Sequence, residues 1–183
     1  MKFLGFAVSL LATSTALAQD TDEERGPYFG AGLGIVRFQD WMGFDDAGLA
    51  NKIFGGFQFN ESWAIEGAYT STTTLTDVPS SPFWAVRTNK DLDIIQVKGL
   101  FHRGPFFTSF GLWSANIATS IDLGRSGSAS DRGISLGIGG EWEKGKWTFR
   151  TEYEVLDSRK QGLSIDTGTE ASALSFGVRF NFN

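Results

Sequence analysis

The chain contains no cysteine, a single histidine and four prolines in 183 residues. Without cysteine there is no disulfide framework and no thiolate metal site. One histidine, His102, leaves little from which to build a transition-metal centre. Basic residues are also short: 16 Lys and Arg face 21 Asp and Glu, for a net charge of −5. A nucleic-acid binder usually carries a basic patch, and nothing here suggests that partner. Beyond the first residues no run is apolar enough for a transmembrane helix. What the chain has in quantity is glycine, 23 residues, and phenylalanine, 17. Disordered chains are poor in aromatics, so this mixture points to strands in a confined geometry.

The first twenty residues, MKFLGFAVSLLATSTALAQD, have a logic of their own. Lys2 is followed by an apolar run from Phe3 to Ala12 and then by small and polar residues. Ala16-Leu17-Ala18 fits the small-x-small cleavage rule. The run is too short for the roughly 20 residues that cross about 30 Å of hydrocarbon. Residues 1–18 read as a cleaved signal peptide, 19–26 as a short leader, and 27–183 as one domain. The mature protein is expected to be exported, and any membrane crossing would be by strands.

Eight stretches of roughly ten residues alternate apolar with polar or small: 27–38, 51–60, 63–74, 91–102, 106–117, 132–143, 147–157 and 171–182. The phase of the fifth, FFTSFGLW, is ambiguous. Their connections alternate in length. Asn60-Glu61-Ser62, Arg103-Gly104-Pro105 and Lys144-Gly145-Lys146 are tight turns. The segments 39–50, 75–90, 118–131 and 158–170 are long and polar, and GRSGSASDRG in the third has the composition of a flexible loop. Short turns at one end and long loops at the other predict an all-β fold: an eight-stranded antiparallel up-and-down transmembrane β-barrel with short periplasmic turns and long extracellular loops.

The faces follow from glycine and charge. Phe29, Ala31, Leu33 and Ile35 share one face of the first strand, and Gly30, Gly32 and Gly34 the other. Glycine weakens a solvated strand. In the narrow lumen of an eight-stranded barrel it leaves room for long side chains from other strands. Glu66, Lys98, Glu141 and Arg150 all lie opposite in phase to the apolar residues, three to five residues from a short turn. At about 3.3 Å per residue they share one or two layers of depth. Two acids and two bases at that level would form a neutral lumenal ion-pair cluster. On the lipid side a single Lys or Arg near the midplane would cost about 2–4 kcal/mol. Glu152, Glu154 and Arg179 are further lumenal polar positions. Aromatics gather beside the short turns: Phe57, Phe59, Trp63, Phe101, Phe106, Phe107, Trp142, Trp147, Phe149, Phe180 and Phe182. A weaker set near the long loops includes Phe38, Trp41, Tyr69 and Trp113. Such girdles mark the membrane–water boundary.

The segments PYFGAGLG, KIFGGFQFNESWAIEGAYT, QVKGLFHRG, GIGGEWEKGKWTFRTEYEV and ALSFGVRFNF resemble, in order, the strands of the OmpA-like transmembrane barrel. The resemblance covers nearly the whole mature chain, except the long loops. It implies a cluster of two acidic and two basic residues closing the lumen, which by motif falls on Glu66, Lys98, Glu141 and Arg150. It also implies surface-exposed loops, a structural role and, in some members, adhesion or narrow pore activity. The family's peptidoglycan-binding domain is not expected, because the sequence stops with the barrel pattern. Val178, Phe180 and Phe182 match the terminal-strand signal that barrel-assembly machinery reads during insertion, with Asn183 following the final aromatic.

No enzymatic chemistry is expected. His102 sits beside a short turn, the wrong end for the Ser–His site of a lipid-modifying barrel. Asp40, Asp45 and Asp46 read as a solvated acidic loop rather than a cation site. GAGLGI lacks the third glycine of a dinucleotide fingerprint, and no helix follows it. Asn60-Glu61-Ser62 fits a glycosylation sequon but reads as turn chemistry. No cofactor is expected. The leading expectation is a structural or surface-interaction barrel of the outer membrane. Its partners would be outer-membrane lipid and lipopolysaccharide, the assembly machinery, and an extracellular partner at the long loops. Within that reading the plug need not be static: Arg150 could pair with Glu66 or Glu141 and Lys98 with the other, opening a narrow path. The alternative is a small porin-like barrel with narrow or gated ion conductance. A soluble lipocalin-like binder would need the opposite faces.

Overall fold

The computed structural model of the chain describes residues 26–39, 45–77, 88–121, 125–158 and 169–182. Residues 1–18, read above as a signal peptide, most of the expected leader, and Asp40 and Trp41 lie outside them. Nearly all described residues are strand: β1 (Gly26–Gln39), β2 (Asp45–Gln58), β3 (Trp63–Thr72), β4 (Leu75–Asp77), β5 (Thr88–Arg103), β6 (Phe106–Ile121), β7 (Arg125–Lys144), β8 (Trp147–Ser158) and β9 (Thr169–Asn181). All pairings are antiparallel, and β9 returns to β1 to close the sheet. β4 continues the line of β3 along β5. Ser71 faces Asp93 and Leu75 faces Lys90, so three residues oppose two across a bulge. The bulge switches the inward phase from even to odd numbers, which is why Leu75 is buried. The result is a closed eight-stranded antiparallel barrel.

The register fixes its geometry. Cα partners lead from Tyr28 to Gly56, Glu66, Lys98, Gly111, Ser135, Leu156 and Ala171, and from there to Phe38. One circuit therefore returns to β1 ten residues from its start. Such a stagger on eight strands corresponds to a strand tilt of about 40°.

Local sequence explains the short turns. Gly104 and Gly145 take left-handed φ values of 60° and 64°, each first in a two-residue hairpin loop. Glycine at that position suits the right-handed twist of paired strands. In the third turn Asn60 Oδ1 accepts hydrogen bonds from the backbone N–H of Ser62 and Trp63, both at 2.9 Å. The Asn60 side chain is thus the turn's internal acceptor.

The long connections depart from expectation. β2 begins at Asp45 and β7 at Arg125, so much of 39–50 and 118–131 is strand rather than loop. GRSGSASDRG lies largely on β7, and the β6–β7 hairpin runs unbroken to Ile121 opposite Arg125. Residues 126–130 are exposed, whereas Asp131 turns inward and accepts a hydrogen bond from Ser158. The ladder already established lower in the barrel supplies the strand geometry that the segment's own preferences do not.

The two faces separate as the phases require. Outward residues are apolar and exposed, with Leu33 at 67% and Leu112 at 65%, whereas inward Glu66, Lys98 and Arg179 are each at 1%. On β5 the outward residues Ile95, Val97 and Phe101 lie between Asp93 and Arg103. Ten residues at about 3.3 Å and about 40° of tilt span roughly 25 Å, the height of an outer-membrane apolar band. At the short-turn end Trp63 packs on Phe101 at 4.9 Å and Trp147 on Phe180 at 5.1 Å. Three aromatics depart from the expected girdles. Phe107, Phe38 and Trp113 point inward and are buried. In β6 the ambiguous phase resolves with Phe107, Ser109, Gly111 and Trp113 inside.

Candidate functional site: the ion network across the lumen

The stagger of the strands brings inward side chains from β1, β2, β3, β5, β7, β8 and β9 to neighbouring depths. Glu66 on β3 is the cross-strand partner of Lys98 on β5, and Glu141 on β7 that of Arg150 on β8. All four are buried in the lumen. Lys98 Nζ lies 3.5 Å from Glu66 and 2.9 Å from Glu154, and bonds Glu152. Arg150 bonds Glu66, lies 3.2 Å from Glu152 and reaches to 3.8 Å from Glu141. Arg179 lies 3.3 Å from Glu141 and 3.5 Å from Glu143 at the rim, and donates to Gln58 at 3.2 Å. The exchange that would place Lys98 on Glu141 is not the arrangement here, because Lys98 is held by Glu152 and Glu154.

Lys52 on β2 is a member that the sequence did not disclose. Its ammonium lies 2.8 Å from Glu152 and 2.9 Å from Glu154, bridging them as Lys98 does. The neighbouring Ile53 and Phe54 point to opposite faces, so the local pattern gives no clean phase. Tyr28, Gln96 and Ser109 complete the network, donating to Glu66 at 3.1 Å, Glu154 at 3.3 Å and Glu152 at 3.2 Å. His102 is also inward, with Nε2 3.4 Å from Glu141. Its phase, shared with Lys98 and Leu100, was the available signal. The charges of the network balance, Glu66, Glu141, Glu152 and Glu154 against Lys52, Lys98, Arg150 and Arg179, and the two buried opposite charges outside it, Lys90 and Asp131, leave that balance unchanged. Each carboxylate touches at least two cations, the condition under which charge survives in a low-dielectric interior.

The lumenal glycines have a more specific use than clearance for charged chains. A Cβ on Gly139 would stand 2.3 Å from the Phe107 ring, on Gly30 2.4 Å from the Phe54 ring, and on Gly56 2.6 Å from the Tyr28 ring. Those rings in turn hold the guanidinium groups. Arg150 Cζ lies 4.3 Å from the Phe107 centroid and 5.2 Å from that of Phe54, and Arg179 Cζ 4.6 Å from that of Tyr28. Gly111 and Gly137 do face charged chains, beside Lys98 and Glu154.

The lumen is not polar throughout. Toward the long loops Val36, Phe38, Leu75, Leu92, Ile94, Trp113, Ile117 and Leu156 form a buried apolar layer. Between it and the network lies a cavity of about 20 Å³, lined by Lys52, Gln96, Glu154 and Ile94 among others. That is room for about one water.

Other candidates are committed elsewhere. Asp45 pairs with Arg37 at 2.6 Å, and Asp46 accepts from the Thr76 N–H at 2.6 Å. Hydrogen bonds from Arg37 and Gln39 hold the Asp45 carboxyl down to about 2. Among the described residues no group of three metal-capable side chains converges. Of the terminal-strand residues, Phe182 is exposed on the outer surface and Val178 and Phe180 are half-exposed there.

A family model described as outer membrane protein beta-barrel domain matches residues 5–182. No curated protein matches significantly. Among solved structures, neisserial surface protein A is 19% identical with a TM-score of 0.63, covering 86% of this chain and 97% of that one. Ail, the attachment invasion locus protein of Yersinia pestis, is 16% identical with a TM-score of 0.56, covering 86% and 99%. The N-terminal β-barrel domain of Pseudomonas aeruginosa OprF is 12% identical with a TM-score of 0.54, covering 85% and 98%. At these identities the likeness is one of fold.

Proposed function

The chain belongs to the outer membrane protein beta-barrel domain family, and from that premise we propose that it is a structural, surface-interacting barrel whose lumen is closed to ions. One observation carries this reading: a charge-balanced network fills the lumen beneath a buried apolar layer. An ion would have to displace both, and eight strands leave little space beyond side chains. The scaffold then serves to present its long-loop end, with the partner met there and lipopolysaccharide around it. Residues 1–18 act as the export signal, and Val178, Phe180 and Phe182 as the insertion signal for the assembly machinery. The role is not enzymatic.

The competing reading is a narrow or gated pore. Arg150 favours it to a degree, since it touches Glu66, Glu141 and Glu152 at once and has alternative partners. Planar-bilayer recording of the mature barrel separates the two. The closed reading expects no conductance steps from wild type or from Arg150→Ala. Discrete openings in wild type would overturn it in favour of the pore.

A further inference from the structure

On the outward face near the short turns, the surface dips. Thr108 lies between Phe101 and Ile138 in one row of cross-strand neighbours. In the next row toward the turns, Gly140 lies between Phe106 and Thr151. Trp142 and Arg103 stand at the edges of the resulting groove, whose volume is about 550 Å³. The floor at Gly140 has no side chain of its own and is covered at its edge by Trp142: a Cβ there would press on the indole at 3.3 and 3.5 Å and stand 3.5 Å from the Pro105 carbonyl.

A depression of this size facing hydrocarbon does not stay empty, because its walls would forgo dispersion contacts on one side. What is at hand to fill it is an acyl chain. Two features distinguish it from the surrounding surface. Arg103 is exposed at the rim with no ion pair among the described residues, and a guanidinium matches phosphate geometry. Thr108 and Thr151 also face outward just inside that rim, and threonine hydroxyls at that level suit a glycerol ester. We propose that the groove holds one acyl chain of an anionic glycerophospholipid of the periplasmic leaflet, with its phosphate against Arg103.

The test is native mass spectrometry of the mature barrel in mild detergent, titrated with phosphatidylglycerol or phosphatidylcholine. Wild type should retain one phosphatidylglycerol. Gly140→Leu and Thr108→Phe fill the groove from different strands and should each lower retention at least tenfold. Arg103→Gln should still bind lipid but lose most of the preference for phosphatidylglycerol. Equal retention by the filled-groove variants, or an unchanged preference in Arg103→Gln, would overturn the proposal. The proposal rests on membrane insertion, which a gel shift on boiling reports separately. A barrel that shifts normally yet retains no lipid refutes the groove alone, and the threonine variant stands if the glycine variant does not fold.

Discussion

Removing Lys52 tests whether the lumen behaves as one electrostatic unit. Its ammonium lies within 2.9 Å of both Glu152 and Glu154, and it is 6% exposed. Lys52→Met keeps most of the chain's volume but leaves one carboxylate in excess inside the barrel. Breaking a buried pair by removing one partner costs about 3–5 kcal/mol, because the remaining charge is uncompensated. Glu154→Gln makes the opposite error, with one cation in excess, and should cost a similar amount. The double variant restores neutrality at three acids and three bases. If the network acts as argued, the double variant should be less destabilised than the sum of the singles by about 1–3 kcal/mol. Urea unfolding of the mature barrel in micelles, read by gel mobility, gives all four stabilities. The exposed pair provides the control: Arg37→Met, which breaks the contact to Asp45, should shift the urea midpoint far less than either lumenal single variant. Strict additivity of Lys52→Met and Glu154→Gln would refute a coupled network.

Three further outcomes follow from the structure. Gly139→Ala would place a methyl against both the Phe107 ring and the Thr151 carbonyl, shifting the ring from Arg150, at a cost of about 1–3 kcal/mol. Gly67→Ala, whose nearest neighbour would be 3.9 Å away, should change the urea midpoint little. The Asp45 carboxyl, outside the apolar band, should titrate at about 2 when followed by carbonyl NMR. Its value is depressed, so its pairing with Arg37 is fully present above the ordinary aspartate value of about 3.9 and is lost as pH falls through about 2. A midpoint near the ordinary value would contradict the pairing.

Strand number, the short turns and the sign of each face were legible because a period of two is simple to read where apolar and charged residues alternate strictly, as along Ile95, Val97 and Phe101 against Gln96, Lys98 and Leu100. The phase fails where both faces carry apolar residues. Ile53 beside Phe54 concealed Lys52, and Phe106 beside Phe107 left β6 ambiguous. Inward aromatics such as Phe107 depend on a glycine on the neighbouring strand, Gly139, and only the register pairs them. Loop composition misled at Arg125–Ser130, where the ladder with β6 outweighs weak local preference. The apolar layer of Val36, Phe38 and Trp113 was equally hidden, because barrel logic alone assigns polar residues to the lumen.

The central claim is that the apolar face of β9, at Phe176, Val178 and Phe180, meets lipid while Arg179 is enclosed. The most direct measurement is a heat-modifiability gel on purified outer membranes, boiled and unboiled, combined with protease added to intact cells. The account predicts a mobility shift on boiling and cleavage confined to the long-loop end. A chain that shows no shift and fractionates with soluble periplasmic proteins would place Arg179 in water and contradict it.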